Sequence, residues 1–252
     1  MRYYISKYDK SKRNKPKYIL DVHCHTISSG HAYSTLTENI NYAASVGMKL
    51  IATTDHAPAM RGAPSNLHFF NLAAVPPIIN GVEHLSGVEL NILNSDGELD
   101  LKNGEIKRVK VVIASLHPIC IEPADITANT SALVCAMEKP LVKIIGHPGD
   151  PRYPVDIKKV VDTAVRTNTI LEVNNASLDP NSTRKGGEAI ILDIIKECKK
   201  RSHPIILGSD AHYHTAIGDF SEAEKLLEEA DFPDELVLNT SVEFFKSTLG
   251  IE

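Results

Sequence analysis

From residue 18 onward the apolar positions fall into short, β-branched runs separated by longer stretches in which apolar residues recur at helical spacing. That alternation predicts βα units and a parallel sheet. The runs place seven strands at 18–22, 49–53, 87–92, 109–115, 142–146, 169–174 and 204–208. Between the first two, Thr35-Leu36-Thr37-Glu38 reads as a capping box, followed by Ile40, Ala43 and Ala44 on one face and a stop at Gly47. Similar patterns predict helices over 128–138, 156–167, 188–201 and 222–230, with a closing helix over 241–249. Asp96-Gly97 lies between two alternating runs and predicts a β-ribbon in place of a helix after the third strand. The Pro-containing stretch 57–77 reads as one long loop over a functional site.

Composition narrows this picture without redirecting it. A chain of 252 residues, 42% hydrophobic and 23% charged, suits one α/β barrel of ordinary soluble make-up. No apolar run approaches the roughly 18 residues of a membrane helix. Residues 1–17 carry seven Lys/Arg against one Asp and form a basic N-terminal extension, so the barrel domain at 18–252 holds 20 basic and 31 acidic residues, a net of −11. An acidic body argues against a protein that grips a phosphate backbone, so a nucleic-acid partner is not expected. The extension lacks the apolar core of a secretory signal. Cys24, Cys120, Cys135 and Cys198 show no C-x-x-C spacing, which leaves reduced thiols and a cytoplasmic location as the expectation.

The chemistry collects where strands end. His23 and His25 follow the first strand, Asp55 and His56 the second, Glu89 lies on the third, His117 follows the fourth, His147 the fifth, and Asp210 and His212 the seventh. In a parallel barrel these ends meet at one mouth, however distant in sequence. Residues two apart on an extended chain share a face, so His23 and His25 point inward together while Cys24 points away, and Asp210 and His212 repeat the clip. Thr26 and Ser28 are candidates to orient those imidazoles. So many titratable groups buried together without a cation would cost several kcal/mol each. With His31 added and Asp55 left as a supporting group, the set holds nine candidate ligands, too many for one ion, and Glu89 as a bridge accommodates three. Zinc, manganese and iron all accept such a shell, and close cations suit phosphate esters. Asn174 and Asn175 end the sixth strand, where an amide could meet substrate or water, and Arg184 and Lys185 in the following loop are candidate phosphate contacts. His68, in the long loop over the mouth, is a further candidate substrate contact, whereas His84 and His203 read as structural.

The strings "DVHCHTISSGHAYSTL", "TTDHAP", "GVELNI", "SLHP", "GHPGDPRY", "EVNNAS" and "LGSDAH" resemble, in order and spacing, the PHP (polymerase and histidinol phosphatase) family, most closely its small stand-alone bacterial phosphatases of the YcdX type. The resemblance spans about residues 18–220. It implies a distorted seven-stranded (β/α)7 TIM-like barrel with a trinuclear metal site, most often zinc, at the C-terminal mouth of the strands. By that likeness His23, His25, Glu89 and Asp210 hold one ion, His31, His56 and His212 a second, and Glu89 with His117 and His147 a third. Glu89, His25, Asp210 and His212 are the expected catalytic group. The implied reaction is hydrolysis of small phosphomonoesters by direct attack of a metal-bridging hydroxide, in a homo-oligomer, a trimer by likeness. The basic extension, His214 just past the last ligand, and Pro118 depart from the pattern. The rivals are a PHP-type exonuclease, a barrel amidohydrolase, and a metal-binding protein without turnover.

Overall fold

The structure is a computed structural model that describes residues 16–251. The chain runs β1 (Leu20–Asp21), α1 (Leu36–Val46), β2 (Leu50–Thr53), α2 (Asn66–Asn71), β3 (Ile78–Ile79), β4 (Val82–Asn91), α3 (Asn103–Ile106), β5 (Val111–Ser115), α4 (Ile126–Met137), β6 (Ile144–Ile145), α5 (Ile157–Thr167), β7 (Ile170–Asn174), α6 (Glu188–Lys200), β8 (Ile205–Gly208), α7 (Ser221–Glu229) and α8 (Val242–Leu249). The seven expected strands pair in parallel in the order β1-β2-β4-β5-β6-β7-β8. They make a seven-stranded, nearly closed TIM-like barrel.

Local chemistry sets the helix ends. Thr35 and Glu38 close the expected capping box around the start of α1, and Gly47 at φ 89° ends it in the left-handed region that glycine favours. Asp156 caps α5 by accepting from Lys159 N at 3.0 Å.

The strands divide their side chains between two layers. Outward residues such as Ile51, Val112, Ile145, Leu171 and Leu207 pack under the helices. Inward residues Leu50, Val111, Ile113, Ile144, Ile170 and Ile206 fill the lower barrel, where Leu238 and, from α8, Phe245 and Leu249 close the floor. Toward the C-terminal ends the same inward rows turn polar: Glu89 and Asn91 on β4, Ser115 on β5, Glu172 and Asn174 on β7, all buried. The polar half of the lumen is where the chemistry sits.

Among the described residues the seam between β8 and β1 has a single bridge, Cys24–Ala211. Asn239 fills the gap below it. Its side chain accepts from Leu207 N at 2.7 Å and donates to Leu207 O at 2.9 Å and Leu20 O at 3.0 Å. Asn239→Ala should therefore strand buried backbone groups and lower the unfolding free energy by about 2–4 kcal/mol. Urea denaturation measures this, and a loss under about 1 kcal/mol would show that the seam is held elsewhere.

Three expectations need correction. The stretch around Asp96-Gly97 is a tight turn with one bridge, Ile92–Leu99, not a ribbon, and α3 follows it. The 57–77 stretch is not all loop, because α2 and a 3-10 turn at Leu72–Ala74 lie within it. The third strand begins earlier than expected, at Val82, and is preceded by β3, which pairs with it antiparallel at Ile78–Glu83. Of the basic extension only Pro16 and Lys17 lie within the described residues, and Lys17 Nζ is 2.8 Å from Asp234.

Candidate metal centre

The first strand delivers His23 and His25 into the lumen, while Cys24 packs in the outer layer. Beyond them Thr26 caps a short turn over Ile27–Ser29, and Gly30 at φ 80° reverses the chain. A side chain at Gly30 would strike the backbone of Gly62, so only glycine fits this approach. The turn brings Ser29 back over the site. Its hydroxyl donates to Asp55 Oδ1 at 2.7 Å and accepts from His56 N at 3.1 Å. With its proton committed to Asp55, it can only accept from His25 Nδ1, 3.2 Å away, which frees His25 Nε2 to face the lumen.

The same logic orients other rings. His117 Nδ1 donates to Asn91 Oδ1 at 2.7 Å, because the amide NH2 of Asn91 is spent on Ala57 O and Asp100. His31 Nδ1 and His212 Nδ1 donate to the carbonyls of Ser29 at 3.0 Å and Asp210 at 2.9 Å. In each ring Nε2 is the atom left for something else.

These atoms converge on Glu89. Its Oε1 lies 3.4 Å from His23 Nε2, 3.3 Å from His117 Nε2 and 3.1 Å from His147 Nε2. Its Oε2 lies 3.5 Å from His25 Nε2 and 2.7 Å from His56 Nδ1. Asp210 Oδ1 is 3.2 Å from His25 Nε2, 3.6 Å from His23 Nε2 and 3.5 Å from His212 Nδ1. His31 stands exposed at the rim, its ring 4.9 Å from that of His56 and 4.8 Å from that of His212.

Whether these residues fit metal ions can be tested on their unmet valences. His23 Nε2, His25 Nε2, His56 Nδ1, His117 Nε2, His147 Nδ1 and Glu89 Oε2 are all buried without a hydrogen bond. Buried polar atoms are rarely left so, and five of these six, all but His147 Nδ1, lie in one cage and point to a missing partner. Most of the spacings are too long for hydrogen bonds, but two ligands bonded at ~2.1 Å to one tetrahedral ion sit about 3.4 Å apart. Three residue groups offer donor atoms within 4.8 Å of one another: His25-His56-His212, His23-His25-Asp210 and His56-Glu89-His117. The donor set fits divalent ions. This grouping shares His25 and His56 between positions, where the family likeness had implied a cleaner partition.

Charge is distributed to match. Burial by itself would raise Glu89, but His56, His117 and His23 around it hold its carboxyl well below the usual range. Asp210 is likewise held down, against burial, by His23, His25 and Arg184. Burial lowers His117 to about 4, and burial with the neighbouring His56 lowers His25 to about 3. His23 is the exception, because Glu172, Glu89 and Asp210 overcome its burial and raise it. Ionised carboxylates beside neutral imidazoles are the protonation state that binds cations.

Backbone geometry corrects one expectation. Asp210 does not continue an extended strand; it sits at φ 55°, and His147 at φ 33°, both left-handed. Such conformations in residues other than glycine carry strain that the surroundings must hold. Both residues nonetheless reach the cage.

The other singled-out residues separate clearly. Arg184 Nη1 donates to Asp210 Oδ2 at 3.0 Å and Ser177 Oγ at 3.2 Å, and its buried Nε has no hydrogen bond. Lys185 beside it is exposed. Asn174 is fully engaged, donating to Glu172 and Asp210 and accepting from Ser177, so it aligns its neighbours. Asn175 accepts from Glu222 N and Ala223 N at 3.0 Å and caps α7. His68 Nε2 lies 3.0 Å from Asp55 Oδ2, behind His25. Asp55 also accepts from Thr26, and despite burial its hydrogen bonds from His68, Ser29 and Thr26 bring its carboxyl down to about 2. Neither Thr26 nor Ser28, both expected to orient an imidazole, bonds one; Ser29 does. His214 pairs with Ser34 at 3.0 Å, away from the cage. His84 and His203 are satisfied by Thr53 and Thr169. A cleft of about 450 Å³ opens beside Asp210, lined in part by Asp179, Ser182, Ser209 and Asp219.

Glu172 was not anticipated. It lies 2.6 Å from His23 Nδ1 and accepts from His147 N at 2.7 Å. The signal was present: an acidic residue inside the apolar run "TILEVNN", two before Asn174 and therefore on its face. Asn91, two after Glu89, was legible in the same way.

Known proteins share both fold and sequence. No family model matches the chain. A probable phosphatase of Acetivibrio thermocellus is 45% identical over 229 residues, covering 91% of this chain and 94% of its own. One from Thermoanaerobacter sp. is 48% identical over 234 residues, covering 92% and 95%. A crystal structure of histidinol phosphate phosphatase from Lactococcus lactis, complexed with zinc, L-histidinol and phosphate, superposes with a TM-score of 0.62 over 86% of this chain and 95% of that one, at 19% identity. That likeness is one of fold. The chain belongs to the family of these probable phosphatases, the PHP family whose motifs it carries.

Proposed function

We propose that this phosphatase-family chain hydrolyses small phosphomonoesters at a centre of three divalent ions, zinc foremost, with manganese or iron as alternatives. The observation that supports this most is the buried cage of imidazole and carboxylate atoms, most of which face one another without hydrogen bonds. In this reading His23, His25 and Asp210 hold one ion with Glu89, His31, His56 and His212 a second, and His117 and His147 with Glu89 a third. Divalent ions there would neutralise phosphoryl oxygens and lower the pKa of water to furnish the nucleophile.

The chain's own residues supply the geometry. Glu89 offers one oxygen to each half of the cage and so sets the separation of the ion positions. Arg184 and Asn174 align Asp210 from its outer oxygen, leaving the inner one for the cage. His25 and His212 flank that inner oxygen. Arg184 Nε lies 3.7 Å from Asp150 Oδ2 without a hydrogen bond, and its guanidinium is the fork we assign to a phosphoryl oxygen, with Lys185 adding a point charge at the rim. His68 acts through Asp55 on the loop that carries His25. The cleft beside Asp210 has room for the alcohol part of a small ester.

A net charge of −5 supports a small substrate over nucleic acid. No helix among the described residues is long and apolar enough to cross a membrane. A cytoplasmic homo-oligomer, a trimer by family likeness, completes the reading. Metal-loaded protein is expected to turn over para-nitrophenyl phosphate at least ~100-fold faster than bis(para-nitrophenyl) phosphate and to leave single-stranded DNA intact. Equal or faster cleavage of the diester or of DNA would contradict it and favour the exonuclease.

A further inference from the structure

Glu172 on β7 uses its two oxygens differently. Oε1 faces His23 Nδ1 at 2.6 Å, whereas Oε2 accepts from His147 N at 2.7 Å and from Asn174 Nδ2 at 3.1 Å. Across the sheet Gly208 leaves the space that Oε1 occupies, since any Cβ there would collide with it. The carboxylate is therefore fixed from three sides. Its two main partners serve different parts of the cage: His23 groups with His25 and Asp210, while His147 contacts Glu89 beside His117.

We propose that Glu172 is a positioning residue that prepares two ion positions at once, fixing the tautomer of His23 and the backbone of His147. The inference rests on reading the cage as a metal centre. A carboxylate can only accept, so it keeps the His23 proton on Nδ1 and leaves Nε2 as a lone pair facing Glu89 and Asp210. Its second oxygen holds the amide of His147 while that residue stays at φ 33°, the conformation that aims the ring at Glu89.

The role requires a carboxylate and not merely its shape. In Glu172→Gln the amide oxygen must take the Oε2 position, because two N–H donors point there. The NH2 then faces His23 Nδ1, which becomes the bare nitrogen, and the ring proton moves to Nε2. An isosteric change thus closes the position at His23 while His147 stays held.

The test compares wild type, Glu172→Gln and Glu172→Ala, each titrated with zinc alone, with bound metal counted by plasma mass spectrometry and histidine tautomers read by 15N NMR. Glu172→Gln is expected to bind zinc about 10–100-fold more weakly at one position and to show the reversed His23 tautomer. Glu172→Ala is expected to weaken two positions. Full zinc content in Glu172→Gln with the His23 proton still on Nδ1 would overturn the proposal while leaving the metal centre standing. A wild type that takes up no zinc would overturn the metal reading itself, and this inference with it. Should Glu172→Gln fail to fold, the spectrum of zinc-loaded wild type decides: a single His23 proton on Nδ1 supports the role, and a proton on Nε2 or on both nitrogens overturns it.

Discussion

Replacing Glu89 with glutamine should remove at least ~100-fold of the hydrolytic rate and at least one bound ion per chain, the largest single-residue effect on the cage. Glutamine keeps the volume and the strand, so Leu85, Val111 and Ile113 below are undisturbed. What changes is charge and valence. Five imidazoles approach the Glu89 carboxylate, three on one oxygen and two on the other. An amide offers one oxygen and turns an NH2 toward the remaining rings, leaving the cations near it without their shared anion. Metal content and steady-state turnover, measured on the same sample, check the effect. Turnover within threefold or so of wild type would mean the reaction does not depend on this cage.

Metal removal should come second in size and act on stability as well as rate. An ion held at a thousand times its Kd stabilises the folded state by about 4 kcal/mol, and a domain of this length shifts by about 2–4 °C per kcal/mol. Dialysis against a chelator should therefore lower the unfolding temperature by roughly 10 °C or more, and zinc or manganese should restore it together with activity. The metal-free chain should still fold, because His56 and His147 approach Glu89, His25 approaches Asp210, and Arg184 pairs with Asp210. Scanning calorimetry with and without chelator separates the outcomes. An unchanged unfolding temperature alongside unchanged activity would contradict the account.

The strand ends were readable because two rules acted on the same residues. Parallel connectivity gathers C-terminal ends, and the two-residue period of extended chain sends His23 and His25 one way and Cys24 the other; both hold in the structure. The period also marks Glu172 and Asn91, which sit two positions from Asn174 and Glu89, but these lie within strands, and attention to residues after each strand passes over them. Asp210 reaches the cage for a reason no period supplies, a left-handed backbone at φ 55° held by surrounding contacts. Asn239 was invisible for a different cause. It joins residues 32 and 219 positions away, and no local pattern distinguishes such an amide from one in an ordinary turn. The stretch 57–77 misled because α2 is a short helix with no side-chain cap bond to announce it. His31 was placed by family likeness, and it stacks on His56 and lies beside His212 only because Gly30 turns the loop back.

The most direct test is a crystal of the purified chain measured at the zinc, manganese and iron absorption edges. Anomalous peaks between Glu89 and the imidazoles of His23, His25, His56, His117 and His147, with Asp210 on the same cluster, are the predicted result. A cage that shows no peak, even after soaking in zinc and in manganese, would contradict the central claim.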